Sequence, residues 1–432
     1  MWKTKNIKWK KLDNAAKIFP SLAGREDTEV FRVSCTLNEE IDPSLLQDAL
    51  NSALELYPAF TDTIRRGVFW YYLENTGLMP KVHHEESTPL MPLYGDQCKL
   101  LIDVTYYKNR INLEVFHALA DGMGALVFLK TIVYFYLVYS HPAEFSDISV
   151  ETEDSTERER ESDGFNQYFE SSRGNHMNFE FLGDKEKTGK VYRFDKHPAP
   201  DFRQFITEGQ VNVKSVVTAA KKYGATVTEF LCAILILSIY DTMEPRDKKK
   251  SIVIAIPVNL RNYFESNTLR NFFGMIHISY DFSKHGYDTL EDVIVSVKES
   301  FRRENTLENM EQKIASQMKM ERHPIVRACP LFIKDLVVMS MQKLSMKRRT
   351  IVLSNIGVIK VQNEFEKHID SFTVFNSSDS RQICLCSFGE KMSLSFSGGL
   401  MCHDVERAFF RRLASFDDSI SVSTNYSFKE LE

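Results

Sequence analysis

The sequence predicts an α/β protein with mixed sheets, arranged as two pseudo-repeated halves around a central cleft. Three observations carry this expectation. Strand-like and helix-like periods alternate along most of the 432 residues, as in chains that layer helices on sheets. A unit of strand, tight turn, strand, glycine-containing turn and helix occupies residues 99–139 and recurs over residues 384–416. The helix that begins at Asp42 and ends at Tyr57 has a counterpart running from Asn212 to Tyr223. Aligned on the repeated unit, His117 falls on Gly398, so one half keeps a histidine where the other has none.

The elements follow in order. After an opening segment over 12–21, residues 31–37 read as a strand. Asp42 and Pro43 place an N-cap and a first-turn proline in their preferred positions. The helix they start, 44–57, gathers Leu45, Leu46, Ala49, Leu50, Ala53 and Leu54 on one face, and Pro58 stops it. Residues 60–74 form a strand pair turning at Gly67, and 80–92 a loop. A hairpin joins 99–107 to 111–116, where Ile111, Leu113 and Val115 alternate with Asn112 and Glu114, the period of a strand. A long apolar helix follows His117.

Seven acidic residues between 151 and 163 then mark a solvated linker or an exposed helix,. We therefore divide the chain into an N-terminal half, 1–165, a linker region, 166–190, and a C-terminal half, 191–432. In the latter, 203–206 is a strand, 213–223 and 230–240 are helices, and strand 251–256 ends in Pro257-Val258-Asn259-Leu260-Arg261. Strand 272–282, helices 289–305 and 325–346, and strand 350–353 lead into Ser354-Asn355-Ile356-Gly357. Strand 372–375 precedes the recurring hairpin, whose first strand lies within 382–388, and its helix.

Composition narrows the function. Hydrophobic residues at 43% and charged residues at 26% are those of a soluble globular protein,. A net charge of −5 gives no electrostatic reason to expect a nucleic-acid partner,. The seven cysteines are scattered, without a CxxC pair, and read as free thiols of a reducing compartment,. The basic N-terminus lacks the apolar segment of a secretory signal. The longest apolar run, 126–139, is interrupted by Lys130 and falls short of the ~20 residues of a transmembrane helix,.

The chemistry centres on His117. The pattern His-x-x-x-Asp occurs three times, at His117/Asp121, His197/Asp201 and His277/Asp281. Only His117 ends a strand and precedes a glycine turn and a helix, a setting that aims an imidazole from a rigid element. The run His117-Ala118-Leu119-Ala120-Asp121-Gly122 resembles the HxxxDG motif of the chloramphenicol-acetyltransferase-like superfamily of CoA-dependent acyltransferases. Further stretches resemble its alcohol acetyltransferase branch. They are Leu12-Asp13-Asn14-Ala15-Ala16-Lys17-Ile18-Phe19-Pro20, the Pro257–Arg261 segment with Asn271-Phe272-Phe273-Gly274, and Leu353-Ser354-Asn355-Ile356-Gly357. The DFGWG motif of the plant branch is absent.

The resemblance implies two domains enclosing a tunnel, with acyl-CoA entering from one side and an alcohol from the other. It implies that His117 is the catalytic base, drawing the proton from the acceptor hydroxyl as it attacks the thioester. Asp121 and Gly122 are then structural, with Arg261 the partner of Asp121. Ser354, Asn355 and Gly357 are candidates for the oxyanion site or the tunnel wall. The implied co-substrate is acyl-CoA, acetyl-CoA included, with no tightly bound cofactor, no metal and no transmembrane segment, in a cytoplasmic monomer. Two other readings stay open: a condensation-type acyltransferase fed by a carrier protein, and a catalytically inactive binding protein with the same fold.

Other suggestive clusters have simpler explanations. His83-His84-Glu85-Glu86 has ligand-like side chains that diverge from neighbour to neighbour,. Cys402-His403-Asp404 is too compact to converge on one atom. The segment from Gly183 to Lys190 lacks the spacing and the Ser/Thr of a phosphate loop,. Lys343, Lys347, Arg348 and Arg349 suit a helix C-terminus, and Met339, Met341 and Met346 read as core.

Overall fold

The structure, a computed structural model, describes residues 9–86, 88–95, 100–146, 148, 150, 155–171, 190–194, 197–285 and 289–426. The Gly183–Gly189 stretch and most of the 166–190 linker lie outside the described residues.

Along the chain run β1 (Trp9–Lys11), α1 (Phe19–Leu22), β2 (Val30–Leu37), α2 (Pro43–Leu56), β3 (Asp62–Arg66), β4 (Tyr71–Asn75), β5 (His83–His84), β6 (Ile102–Tyr107), β7 (Arg110–Phe116) and α3 (Gly122–Ser140). Next come α4 (Glu157–Arg160), α5 (Gly164–Ser171), β8 (Phe205–Asn212), α6 (Val213–Lys222), α7 (Val227–Thr242), β9 (Ile252–Asn259), β10 (Phe273–Tyr280), α8 (Phe282–His285), α9 (Leu290–Glu304) and α10 (Leu307–Arg322). The remainder is α11 (Pro324–Ala328), α12 (Leu331–Met346), β11 (Ile351–Val358), α13 (Asn363–Glu366), β12 (Ile369–Asn376), β13 (Gln382–Phe388), β14 (Lys391–Gly398), α14 (Asp404–Leu413) and β15 (Ser421–Thr424).

Two mixed sheets dominate, ordered β12-β2-β7-β6-β5 and β10-β9-β11-β13-β14-β8-β15, beside a small β1-β4-β3 sheet. The internal repeat is visible in their pairing. In the first sheet β2 runs antiparallel to β7, β7 antiparallel to β6, and β6 parallel to β5. In the second, β8, β14, β13 and β11 pair in the same senses. Helices α2 and α6 follow β2 and β8, and α3 and α14 follow the second strands of the two hairpins. Gly398 ends the second hairpin because a Cβ there would lie 1.9 Å from the Ser380 carbonyl oxygen.

One strand crosses between the halves. β12, late in the chain, is the edge of the first sheet, paired with β2. It is also bonded to the second sheet: the Ser393 and Ser397 hydroxyls donate to the carbonyls of Phe372 and Asn376, each at 2.6 Å. This seam brings the ends of both hairpins close together.

Local chemistry explains the elements that present the site. Asp42 caps α2, accepting from the backbone N–H groups of Ser44 and Leu45. In β7 the alternation holds, but the polar residues are buried too. Glu114 accepts from Arg32 at 2.7 Å and Asn112 donates to Thr105 at 3.2 Å, so the partners that burial demands come from neighbouring strands. α3 is buried around most of its circumference. It spans 19 residues, against the shorter apolar run expected, and is by length and composition able to cross a membrane, with 67% of an 18-residue stretch of it buried inside the protein.

Three expectations need correction. α10 falls where no element was expected; Met310, Ile314 and Met318 give it a narrow buried stripe on an otherwise polar helix. The single helix expected over 325–346 is two, α11 and α12, broken at Cys329-Pro330. Met339 is exposed rather than core, since α12 turns Lys334 and Asp335 toward the protein instead. The six described cysteines are free thiols.

Candidate active site

β7 delivers His117 to the junction of the two halves. Its backbone N–H donates to the Glu29 carbonyl at 2.9 Å, which ties the strand end to the start of β2. Glu29 holds a left-handed backbone, φ 54°, unusual for a residue with a Cβ.

The ring is held by Asn271, just before β10. The Asn271 amide nitrogen donates to the His117 carbonyl at 2.8 Å, and its amide oxygen lies 3.0 Å from Nδ1. The first bond fixes which end of the amide faces the ring. The oxygen can only accept, so Nδ1 carries the proton and Nε2 is the basic nitrogen. Among the described residues no hydrogen bond engages Nε2. The ring stacks on Phe19 with centroids 4.5 Å apart, and Phe31 and Phe273 flank it at 4.9 and 5.8 Å. Burial among these rings pushes the imidazole below its ordinary value, keeping it neutral at pH 7.

Asp121 turns away from the ring. One carboxylate oxygen caps α3 by accepting from Gly124 N–H at 3.0 Å. The other accepts from Phe272 N–H at 3.1 Å and from Arg261 Nη1 at 2.7 Å. Arg261 also donates to the carbonyls of Thr268 and Arg270, each at 2.7 Å. The pair thus staples the turn after β7 to the loop that presents Asn271. Gly122 sits close to Ile356, whose Cδ1 would lie 2.9 Å from an added Cβ. Gly124 is more tightly constrained, because a Cβ there would meet the Leu269 carbonyl oxygen at 2.0 Å.

The other candidates lie on β11. Its register slips between Asn355 and Gly357, and Gly357 has φ 88°. Asn355 donates to Thr228 Oγ1 at 2.8 Å and accepts from Gly357 N–H at 2.8 Å, so its side chain is engaged with α7. Leu353 belongs to the second core and Ile356 packs on the first. Alternation from Leu353 puts Ser354 on the opposite face, beside Cys384 of the first core,.

Several contributors were not singled out from the sequence. Phe19 and Asp13 lay within the quoted N-terminal stretch, and Asn271 within the Asn271–Gly274 stretch, but nothing local marks a phenylalanine as a ring platform. Asp13 accepts from Ala16 N–H at 2.7 Å, and burial pushes its carboxyl up to about 7. A cavity of about 30 Å³ borders Leu119 and Leu269, room for a water rather than an acyl chain.

The discounted clusters stay apart. His83 bonds Asp103 at 2.8 Å while His84 meets Tyr106 edge-on. His403 stacks on Tyr426 while the Cys402 thiol faces Asp404. Among the described residues Glu39, His141 and His368 lie close enough to share an ion. However, His141 already bonds Glu39 at 2.7 Å and His368 bonds Glu144 at 3.1 Å, with Lys367 on the same Glu144 oxygen.

Comparison with known proteins gives the family and the fold. A model of the family "Alcohol acetyltransferase" matches residues 168–398. No protein of curated function matches the chain by sequence. Among solved structures, trichothecene 15-O-acetyltransferase from Fusarium sporotrichioides is similar at 10% identity and TM-score 0.61, covering 94% of this chain and 95% of its own. The F. sporotrichioides protein TRI101, complexed with coenzyme A and T-2, is similar at 10% identity and TM-score 0.61, covering 96% and 99%. The first condensation domain of the calcium-dependent antibiotic synthetase is similar at 12% identity and TM-score 0.61, covering 96% and 99%. At these identities the likeness is one of fold.

Proposed function

This chain belongs to the alcohol acetyltransferase family and is an acyltransferase, and on that premise we propose that it moves an acyl group from coenzyme A to a hydroxyl, with His117 as general base. The observation that carries this reading is the Asn271 clamp, which leaves Nε2 of a neutral imidazole as the basic atom.

In the proposed step, Nε2 takes the proton from the acceptor hydroxyl as its oxygen attacks the thioester carbon. The carbonyl oxygen becomes an oxyanion. Collapse breaks the C–S bond, and the departing thiolate recovers the proton from Nε2–H. The products are an ester and free coenzyme A, and no acyl-enzyme is needed. A base matched in this way contributes about 10²–10⁴-fold. Burial supports the role, since a ring already neutral need not lose a proton first. Ser354 is the candidate oxyanion donor, on the face of β11 that it shares with Cys384. Asp121, Gly122 and Arg261 hold the turn and touch no reacting atom in this scheme.

The likeness to a condensation domain favours one competing donor, an acyl group carried on a protein. Acetyl-CoA and an acyl-carrier protein should be offered separately with a panel of alcohols and amines, reading free thiol. We expect release from the CoA donor that depends on an alcohol. Release only from the carrier donor would transfer the assignment to condensation chemistry, and release from neither would leave an inactive binding protein.

A further inference from the structure

α12 is built inside out. Its protein-facing side carries charge: Asp335 accepts from Ser21 at 2.7 Å and from Arg66 and Tyr71, each at 3.1 Å. Lys334 donates to the Phe69 carbonyl at 2.8 Å and lies 3.4 Å over the Trp70 ring. These contacts fix the rotation of the helix. The opposite side shows solvent Phe332 (58% exposed), Leu336 (61%) and Val337 (51%). Ile325 of α11 (74%) and Val68 at the β3–β4 tip (73%) are exposed as well, the tip being joined to α12 by the bond from Leu331 N–H to the Val68 carbonyl. Large apolar side chains exposed together on one helix face mark an interaction site.

Charge indicates what covers it. Residues 324–350 hold six basic side chains and one acid, the inward-facing Asp335, in a chain of net charge −5. Arg327, Lys343, Lys347 and Arg348 are exposed. At 100° per residue, Lys343 and Lys347 fall on the stripe of Leu336. An apolar stripe flanked by lysines whose stems can lie along it while their ammonium groups reach outward suits a bilayer interface bearing anionic headgroups.

We propose that α12, with α11 and the β3–β4 tip, docks the protein on an anionic phospholipid surface. The apolar side chains enter the headgroup boundary and the basic ones meet lipid phosphates. The docked helix rests, through Asp335 and Ser21, on α1, whose Phe19 stacks on His117.

The test is flotation of the full chain with vesicles of phosphatidylcholine containing roughly one third phosphatidylglycerol, and with vesicles of phosphatidylcholine alone. The wild type should float with the anionic vesicles and less so as salt rises. The double variants Leu336→Glu/Val337→Glu and Lys343→Glu/Lys347→Glu should each bind about tenfold more weakly or worse, with unchanged melting temperature. Lys343→Arg/Lys347→Arg should bind like the wild type. Failure of the wild type to float, or flotation of both glutamate variants like the wild type, overturns the proposal. So does a dimer, seen by light scattering without lipid, that Leu336→Glu/Val337→Glu splits, since the face would then belong to a second copy.

Discussion

At the scale of single residues the account rests on an amide and an imidazole. Asn271 positions His117 rather than reacting, so its substitution should change the titration as well as the rate. In Asn271→Asp a carboxylate would face Nδ1 and favour the imidazolium, so the acid limb of the pH–rate profile should move upward. In the wild type that limb should fall below the ordinary histidine value of about 6.5, because burial among Phe19, Phe31 and Phe273 disfavours the charged ring,. Activity is then lost as pH drops through the lowered value, when Nε2 becomes protonated. Asp13 gives a stability prediction of opposite origin. Its folded value, about 7, lies above that of an unfolded carboxyl, so its contribution is full at acid pH and is lost as pH rises toward 7. Thermal melting from about pH 5 to pH 8 should therefore fall more steeply for the wild type than for Asp13→Asn, whose side-chain oxygen can still accept from Ala16.

At the scale of elements, the turn between β7 and α3 is held by one ion pair and two glycines. Asp121→Asn keeps an N-cap oxygen but leaves the Arg261 guanidinium without its charge partner. Breaking a buried pair from one side costs about 3 kcal/mol or more, and chemical denaturation should show a loss of that order. Gly124→Ala should destabilise more than Gly122→Ala. The first drives a methyl into the Leu269 carbonyl, while the second meets the movable end of Ile356,. The turn was legible beforehand because strand alternation, two glycines and an apolar run stand side by side in the sequence. So was the pairing of Arg261 with Asp121, through the resemblance of both segments to one family. Asn271 could not be singled out in that way: its partner is 154 residues away, and an asparagine before a strand has no local signature of a clamp. α10 was missed because its buried stripe is only Met310, Ile314 and Met318, one residue per turn, and α12 was misread because its charged side faces inward.

At the scale of the molecule, two sheets with matching pairing are sewn together by β12, and the His117 turn lies where their hairpins end. The repeat was readable as recurring element lengths, since hairpin and helix lengths are local properties. The crossing of β12 was not, because a strand's sequence says that it pairs but not with which sheet. The asymmetry between the halves has a steric cause: the Ser380 carbonyl leaves no room for a side chain at Gly398. One half thus carries His117, while the other supplies Asn271, Phe273 and the β11 face.

The most direct test of the central claim is acyl transfer by His117→Ala, measured as thiol released from acetyl-CoA with an accepted alcohol, in protein shown to melt like the wild type. Loss of the imidazole should lower kcat by about 10²–10⁴-fold, with the donor KM little changed. Release at the wild-type rate would contradict the assignment of His117 as the base.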